Sequence, residues 1–310
     1  MRDVLPTRAF FRAGKVNRFE MPVVPDPALA GVVASSQGHP GSEVSPEQLL
    51  EALRGYVREG ALVAFSGGLD SAFLLWAAHE AGKGEGTLVA LTTVSSSTPT
   101  PDLEDAKAFA GSLEVEHLCI ASDELDSEDY ARNDRDRCYH CKAGLFRIAK
   151  DVAEKRGLKW ILYAYTASDH HDLRPGHRAA VENGVVAPLS DHGLDKARIR
   201  ALMRERGLDL AEKPASPCLS SRITTGIRVT RDRLGDVAAM EAILRRGGVN
   251  VCRARVCESV GSLFLRIEVD PAEMQKVLDC RAMLEEEGRT RRYRWVTLDL
   301  GGYRTGGGVA

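Results

Sequence analysis

Residues 61–82 read ALVAFSGGLDSAFLLWAAHEAG, and few folds accommodate that order. The run from Ala61 to Phe65 has no polar face, so it has to be covered on both sides, as a strand of a parallel sheet is. Ser66-Gly67-Gly68-Leu69-Asp70-Ser71 is turn sequence, and the apolar helix after it must pack back on the sheet. The same rhythm continues downstream. TLVALTTV, EVEHLCIA and WILYAY read as strands. PDLEDAKAFAGSL, with Phe109 and Leu113 inward, CKAGLFRIAKDVAEKRG and KARIRALMRERG read as helices. Upstream, SPEQLLEALRGYVREG has Ser45 as an N-cap, Pro46 in the first helical position and Gln48 to close a capping box. Leu49, Leu50, Leu53, Tyr56 and Val57 share one face of that helix. Strands alternating with helices predict an α/β fold with a parallel sheet and right-handed crossovers.

The rhythm changes after Arg222. TRDRLGDVAAMEAILRRGG reads as a helix, CRARVCE and SLFLRIEV as paired strands, PAEMQKVLDCRAMLEEEG as a helix and YRWVTLDL as a last strand. That order predicts a small α+β domain. The expected organisation is an irregular extension over 1–44, an α/β nucleotide domain over 45–222 and the α+β domain over 223–310. The 310 residues suffice for two modest domains. A net charge of −2 offers no basic footprint, so nucleic acid is not an expected partner. RTRRYR at 289–294 is the one basic cluster, and a solvated face explains it. No apolar run reaches the roughly 18 residues of a membrane span. The start, MRDVLPTRAFFRAGKVNRF, lacks the apolar core of a secretory signal. Seven cysteines, an odd number, fit reduced thiols in a cytoplasmic protein.

The loop at 66–71 carries the first chemistry. Gly67 and Gly68 let backbone approach an anion, and the next helix N-terminus adds unpaired N–H groups and the positive end of its dipole. Ser66 and Ser71 add hydroxyls, and Asp70 can help hold Mg²⁺. A glycine pair alone would be only a tight turn; serines, an acid and the strand–helix setting together point to phosphate. No lysine follows the glycines, which excludes the Walker A loop.

The second feature is ASPCLSSR, where Cys218 follows Pro217 in a loop. A thiolate is a strong side-chain nucleophile, and a cation such as Arg222 would lower the thiol pKa. The same guanidinium could grip a phosphate or carboxylate with its fork. The bland alternative is a buried, inert thiol. A third feature, RCYHCK, contains Cys138 and Cys141. It could be a redox pair, half of a metal site, or two packed thiols. No second pair completes a four-cysteine zinc site, since Cys252 and Cys257 are five apart.

SGGLDS resembles the PP-loop of the ATP pyrophosphatases, the superfamily with the adenine nucleotide alpha-hydrolase-like fold. Taken with RCYHCKAGLF, the run from DLRPGHR to SPCLSSR, and RWVTLDLGGYRTG, the chain from about residue 50 to residue 306 resembles the LarE family of ATP-dependent sacrificial sulfur transferases. The resemblance implies that ATP with Mg²⁺ adenylates a carboxylate of pyridinium-3,5-biscarboxylic acid mononucleotide, with Ser66, Gly67, Gly68, Asp70 and Ser71 on the pyrophosphate and Asp70 on the metal. It implies that Cys218 attacks the acyl adenylate and gives up its sulfur, becoming dehydroalanine, with Arg222 beside it. Ser221, Arg253, Arg255, Glu241 and Glu268 fall where the family binds its anionic substrate. Some members instead hold a four-iron cluster on three cysteines and donate a sulfide from it. The lone cysteine of the 215–222 segment favours the sacrificial version, while Cys252 and Cys257 keep the cluster version open. The implied setting is nickel-pincer cofactor biosynthesis for lactate racemase, with the other proteins of that route as partners and a homo-oligomer as the prior.

Departures from the family pattern are specific. Where many relatives carry G-T-N-x-D-D, this chain has Ala164-Tyr165-Thr166-Ala167-Ser168-Asp169; it ends in TGGGVA rather than a serine-rich tail; and it carries the N-terminal extension. Two rivals stay open. A PP-loop tRNA-modifying enzyme would use an external sulfur donor and bind tRNA with steep salt dependence. A nucleotide-binding sensor would bind without turnover and leave Cys218 unchanged.

Overall fold

The computed structural model describes residues 46–171 and 175–304; the expected extension over 1–44, the Ser45 cap and the TGGGVA ending lie outside them. Helix α1 (Pro46–Arg58) buries Leu49, Leu53 and Val57, spaced four apart, against the helix that follows the loop. Strand β1 (Ala61–Ala64) is buried throughout, as its sequence requires. The loop at 65–68 leads into α2 (Leu69–Ala81), which is apolar all round and buries eight residues. Next come β2 (Leu88–Val94), α3 (Thr100–Ser112), β3 (Glu116–Ala121) and a single turn, α4 (Glu128–Ala131). The long α5 (Arg137–Arg156) ends on Gly157, whose φ of 64° gives the left-handed cap that glycine supplies without strain. Strand β4 (Trp160–Tyr163) follows, then α6 (Pro175–Glu182), α7 (Pro188–Asp191) and α8 (Lys196–Glu205).

The four strands are parallel in the order β3-β2-β1-β4. The chain leaves β1 toward β2 on one side and returns to β4 on the other. The crevice at the carboxyl ends of β1 and β4 is therefore the switch point where such sheets bind ligands. The predicted α/β fold is observed.

A 3₁₀ turn at Leu219–Arg222 leads toward the second sheet through a bridge between Ile223 and Val256. Helix α9 (Arg231–Arg246) is capped by the Thr230 hydroxyl and packs on the antiparallel pair β5 (Cys252–Ser259) and β6 (Ser262–Val269). The helix expected over 271–288 divides into α10 (Met274–Asp279) and α11 (Arg281–Thr290). At the break, the buried Cys280 thiol faces Gly247, where a Cβ would stand 2.3 Å away. The last strand, β7 (Val296–Leu298), is shorter than expected and pairs in parallel with β6. The result is a small mixed sheet with helices on it, in keeping with the expected α+β region. Both sheets belong to one compact unit, Ser42–Ala310. Among the described residues no helix is long and apolar enough to cross a membrane.

Candidate active site

The loop after β1 is shaped by its own hydroxyls. The Ser71 hydroxyl donates to the Gly68 carbonyl at 3.0 Å and lies 3.1 Å from the Ser66 hydroxyl, while the Ser66 N–H donates to Ser71 Oγ. No side chain caps α2, which leaves its first N–H groups to the loop mouth. The two glycines differ. Gly67 has φ 72°, and a Cβ there would stand 2.8 Å from Ala106 Cβ and 2.9 Å from the Asp102 carbonyl. Gly68 has an ordinary φ of −84°, and a Cβ there would meet only Ser66 Oγ at 3.5 Å. Packing demands glycine at 67; at 68 the fold does not, and what glycine leaves open is space over an uncapped helix end. That space fits a phosphate. Gly67→Ala is accordingly expected to lower the melting temperature by several degrees, about 1–3 kcal/mol of strain. Gly68→Ala should melt with the parent and weaken ATP binding, both read by thermal denaturation with and without nucleotide.

Charged side chains ring this loop. Lys196, at the start of α8, bonds Asp169 at 2.8 Å and stands 3.9 Å from Asp70, so it joins the PP-loop acid to the buried acid at the end of the departing AYTASD run. Asp169 also accepts from the N–H and hydroxyl of Thr166. Asp70 and Asp169 are oxygen donors of the kind Mg²⁺ takes. Lys213 donates to the Gly67 carbonyl at 3.2 Å and pairs with Asp102 and Asp105. From Lys213 to Cys218 the chain has no regular structure, and five residues put the two Cα atoms at most about 18 Å apart.

The 215–227 segment has little regular structure, and its carbonyls are held by its own Arg222 and by side chains from elsewhere. Arg253 donates to Ala215, Arg222 to Pro217 and Cys218, Arg137 to Ser220, and Arg255 to Ser221. Asn133, itself buried at a φ of 64°, donates to Ile223, Thr224 and Ile227. The Leu219 N–H donates to Ser97, and the Ser220 hydroxyl meets Tyr130 at 2.6 Å. Backbone groups that would otherwise need a helix or sheet are thus paired one by one.

Cys218 is half-buried at the start of the 3₁₀ turn. Burial pushes its thiol above the ordinary range; Arg137 works against this, and Cys138 and Glu124 reinforce it. The cation acting on the thiol is therefore Arg137. Arg222, expected beside it, is fully buried, with its guanidinium 2.9 Å from Glu241, which is also fully buried. Arg222 meets the cysteine through the backbone carbonyl alone. Glu241 accepts in addition from Arg245 and the Ala254 N–H.

Arg253 and Arg255, two apart on β5, share one face and flank the cysteine segment. Arg253 stacks on Tyr303 with 5.0 Å to the ring centroid, and burial together with the Arg222 charge lowers its pKa. Arg255 pairs with Glu268 at 2.7 Å; the second Glu268 oxygen, buried, has no hydrogen-bond partner among the described residues. Ser221 contributes its carbonyl to Arg255 and its hydroxyl to Arg222. An arginine pair carrying a buried, half-satisfied acid suits a ligand with both an anionic group and a hydroxyl donor.

Across the loop, α5 starts at Arg137, four residues before the expected Cys141, so both cysteines of the C-x-x-C lie in its opening turns. Cys141 donates to Glu124 at 3.2 Å, and burial followed by Glu124 drives its thiol well above the ordinary range. The other oxygen of Glu124 accepts from Ser95, Ser97 and Tyr130. Cys252 and Cys257 point to opposite faces of β5. Arg137 stood in view beside the C-x-x-C, but nothing in its spacing aimed it at residue 220. Glu124, Asn133 and Lys213 carried no signal.

No protein-family model matches the chain. Slr1717, an uncharacterized protein of Synechocystis sp., is 34% identical over 264 residues, which are 84% of this chain and 96% of that protein. The pyridinium-3,5-bisthiocarboxylic acid mononucleotide synthase of Lactiplantibacillus plantarum is 30% identical over 244 residues, 79% of this chain and 87% of that protein. With these relatives aligned along nearly their whole length and a PP-loop at the sheet's switch point, the chain belongs to the LarE family.

Proposed function

We propose that the protein is an ATP-dependent sulfur transferase that converts a carboxylate of pyridinium-3,5-biscarboxylic acid mononucleotide to a thiocarboxylate, with Cys218 as the sulfur source. The observation that carries this reading is the position of Cys218. It is held by its backbone between a phosphate-type loop and an arginine pair, leaving the thiol as the reactive group of the segment. The name of the Lactiplantibacillus plantarum relative supplies the substrate class.

In this reading the N–H groups at the start of α2 and Gly68 receive the triphosphate. Asp70 and Asp169 would hold Mg²⁺, which neutralises phosphate charge. Lys213 keeps the loop in place through the Gly67 carbonyl. A substrate carboxylate oxygen attacks the α-phosphorus, pyrophosphate leaves, and the acyl carbon becomes electrophilic. Arg137 favours the Cys218 thiolate, which attacks that carbon and releases AMP. Loss of the Cys218 Cα proton then breaks its Cβ–S bond; the sulfur leaves on the product, and dehydroalanine remains in the chain. Arg253, Arg255 and Glu268 would hold the phosphoribosyl end.

The test is the peptide mass of the full-length protein after incubation with Mg-ATP and the pyridinium biscarboxylate mononucleotide. Loss of the elements of H₂S, mapped to Cys218, is expected. An intact Cys218 beside thiocarboxylate product would sink the sacrificial step, and no pyrophosphate release would sink the whole reading.

A further inference from the structure

Beside Cys218 stands a cation that the proposed chemistry leaves unused. Lys142 follows Cys141 on α5, and its stem lies against Gly176 of α6. A Cβ on Gly176 would come within 3.0 Å of Lys142 Cγ and 3.4 Å of the Cys138 carbonyl. Glycine there lets the two helices close on the lysine stem and fix its course. The ammonium stands 5.2 Å from the centroid of the Tyr163 ring, at the carboxyl end of β4 and so on the rim of the switch-point crevice.

No carboxylate of the described residues stands within ion-pair distance of that ammonium. The nearby acid, Glu124, is taken up by Ser95, Ser97, Tyr130 and Cys141. Arg137, on the same helix end, is turned to the Asn133 side-chain oxygen, the Ser220 carbonyl and Cys138. Burial opposes the Lys142 charge, but beside the Tyr163 ring and the neighbouring thiols its pKa still lies above the ordinary lysine value. A half-buried ammonium on the rim of the crevice, with no carboxylate of the described residues paired to it, calls for an anion there. A lysine suits one that must turn, because its donors rotate and do not impose the fixed fork of an arginine.

We propose that Lys142 binds a ring carboxylate of the pyridinium mononucleotide beside Cys218, and so selects a carboxylate-bearing ring over its carboxamide counterpart. The inference rests on the mononucleotide reading above. In it the ligand spans the cysteine segment, with its phosphate toward Arg253 and Arg255 and its ring toward α5.

The test is calorimetric titration of the full-length protein, without ATP, with nicotinic acid mononucleotide and nicotinamide mononucleotide, which differ in the carboxylate. The parent is expected to prefer the acid by about 10- to 100-fold, the range of one charge-assisted hydrogen bond. Lys142→Met should bind both with the parent's carboxamide affinity, to within about twofold, and Lys142→Arg should keep a preference. A Lys142→Met protein that still prefers the acid overturns the role of Lys142 while leaving the mononucleotide reading standing. A parent that binds neither compound overturns that reading, and this inference with it. Should methionine abolish all binding by disturbing α5, the arginine variant decides: a preference retained supports the charge, and a preference lost with carboxamide binding intact overturns it.

Discussion

Cys218→Ala is expected to release pyrophosphate from Mg-ATP and the biscarboxylate substrate at close to the parent rate, and to form no thiocarboxylate. On the proposed mechanism the two half-reactions would lie on different parts of the chain. Activation would use the loop after β1 and the start of α2. Sulfur transfer would use Cys218, and removing a nucleophile from its own step costs at least about 10³-fold. The variant should therefore accumulate bound acyl adenylate, detectable by quenching and chromatography. Equal loss of pyrophosphate release and product would show that Cys218 is needed for activation and would sink the division of labour. The parent has a pH signature as well. Its thiol is raised by burial, so the reactive thiolate is the minor form near neutrality. AMP release from preformed adenylate should climb about tenfold per pH unit up to and beyond the ordinary thiol range. Arg137→Met, lacking the opposing charge, should move that climb to higher pH.

Arg222→Met is expected to destabilise the fold by about 3–5 kcal/mol, because it strands a fully buried Glu241 carboxylate. Arg245 still reaches Glu241 at 2.7 Å, but it is more than a third exposed and cannot replace a partner inside the core. With a urea dependence of about 2–3 kcal/mol per molar, the midpoint of urea unfolding should fall by roughly 1–2 M. Glu241→Gln, which leaves Arg222 charged and unneutralised, should fall in the same direction. An arginine whose work was confined to gripping substrate would leave the midpoint unchanged and raise KM; that outcome would reverse the structural assignment.

The α/β frame could be read from the chain because each of its elements announces itself locally. β1 has no polar residue, α1 repeats its apolar positions every turn, and the glycines between β1 and α2 admit only a turn. Arg253 and Arg255, singled out by the family resemblance, lie two apart on β5 and so on one face of it. The surroundings of Cys218 could not be read the same way. Residues 215–227 have no period, so nothing in the sequence says which way Arg222 turns, and four positions of separation from Cys218 suggested a closeness of side chains that the 3₁₀ turn does not provide. One signal was available. Glu241 falls on the apolar stripe of Leu234, Val237 and Leu244, and an acid on such a stripe requires a buried cation. Arg137, Asn133 and Glu124 come from a stretch some 80–90 residues earlier, a pairing set by the fold as a whole.

The carbonyl grips on residues 215–227 bear on what becomes of the protein after it has worked. None of those bonds passes through the Cys218 sulfur; the arginines and Asn133 hold main-chain oxygens, which a dehydroalanine would keep. If the sulfur is given up, the emptied molecule therefore has the same shape and lifetime as a fresh one. A protease or chaperone that recognises disorder would find nothing to distinguish them. Used copies would persist and occupy substrate that they can no longer convert, so output would depend on the ratio of new to used chains and on the rate of synthesis.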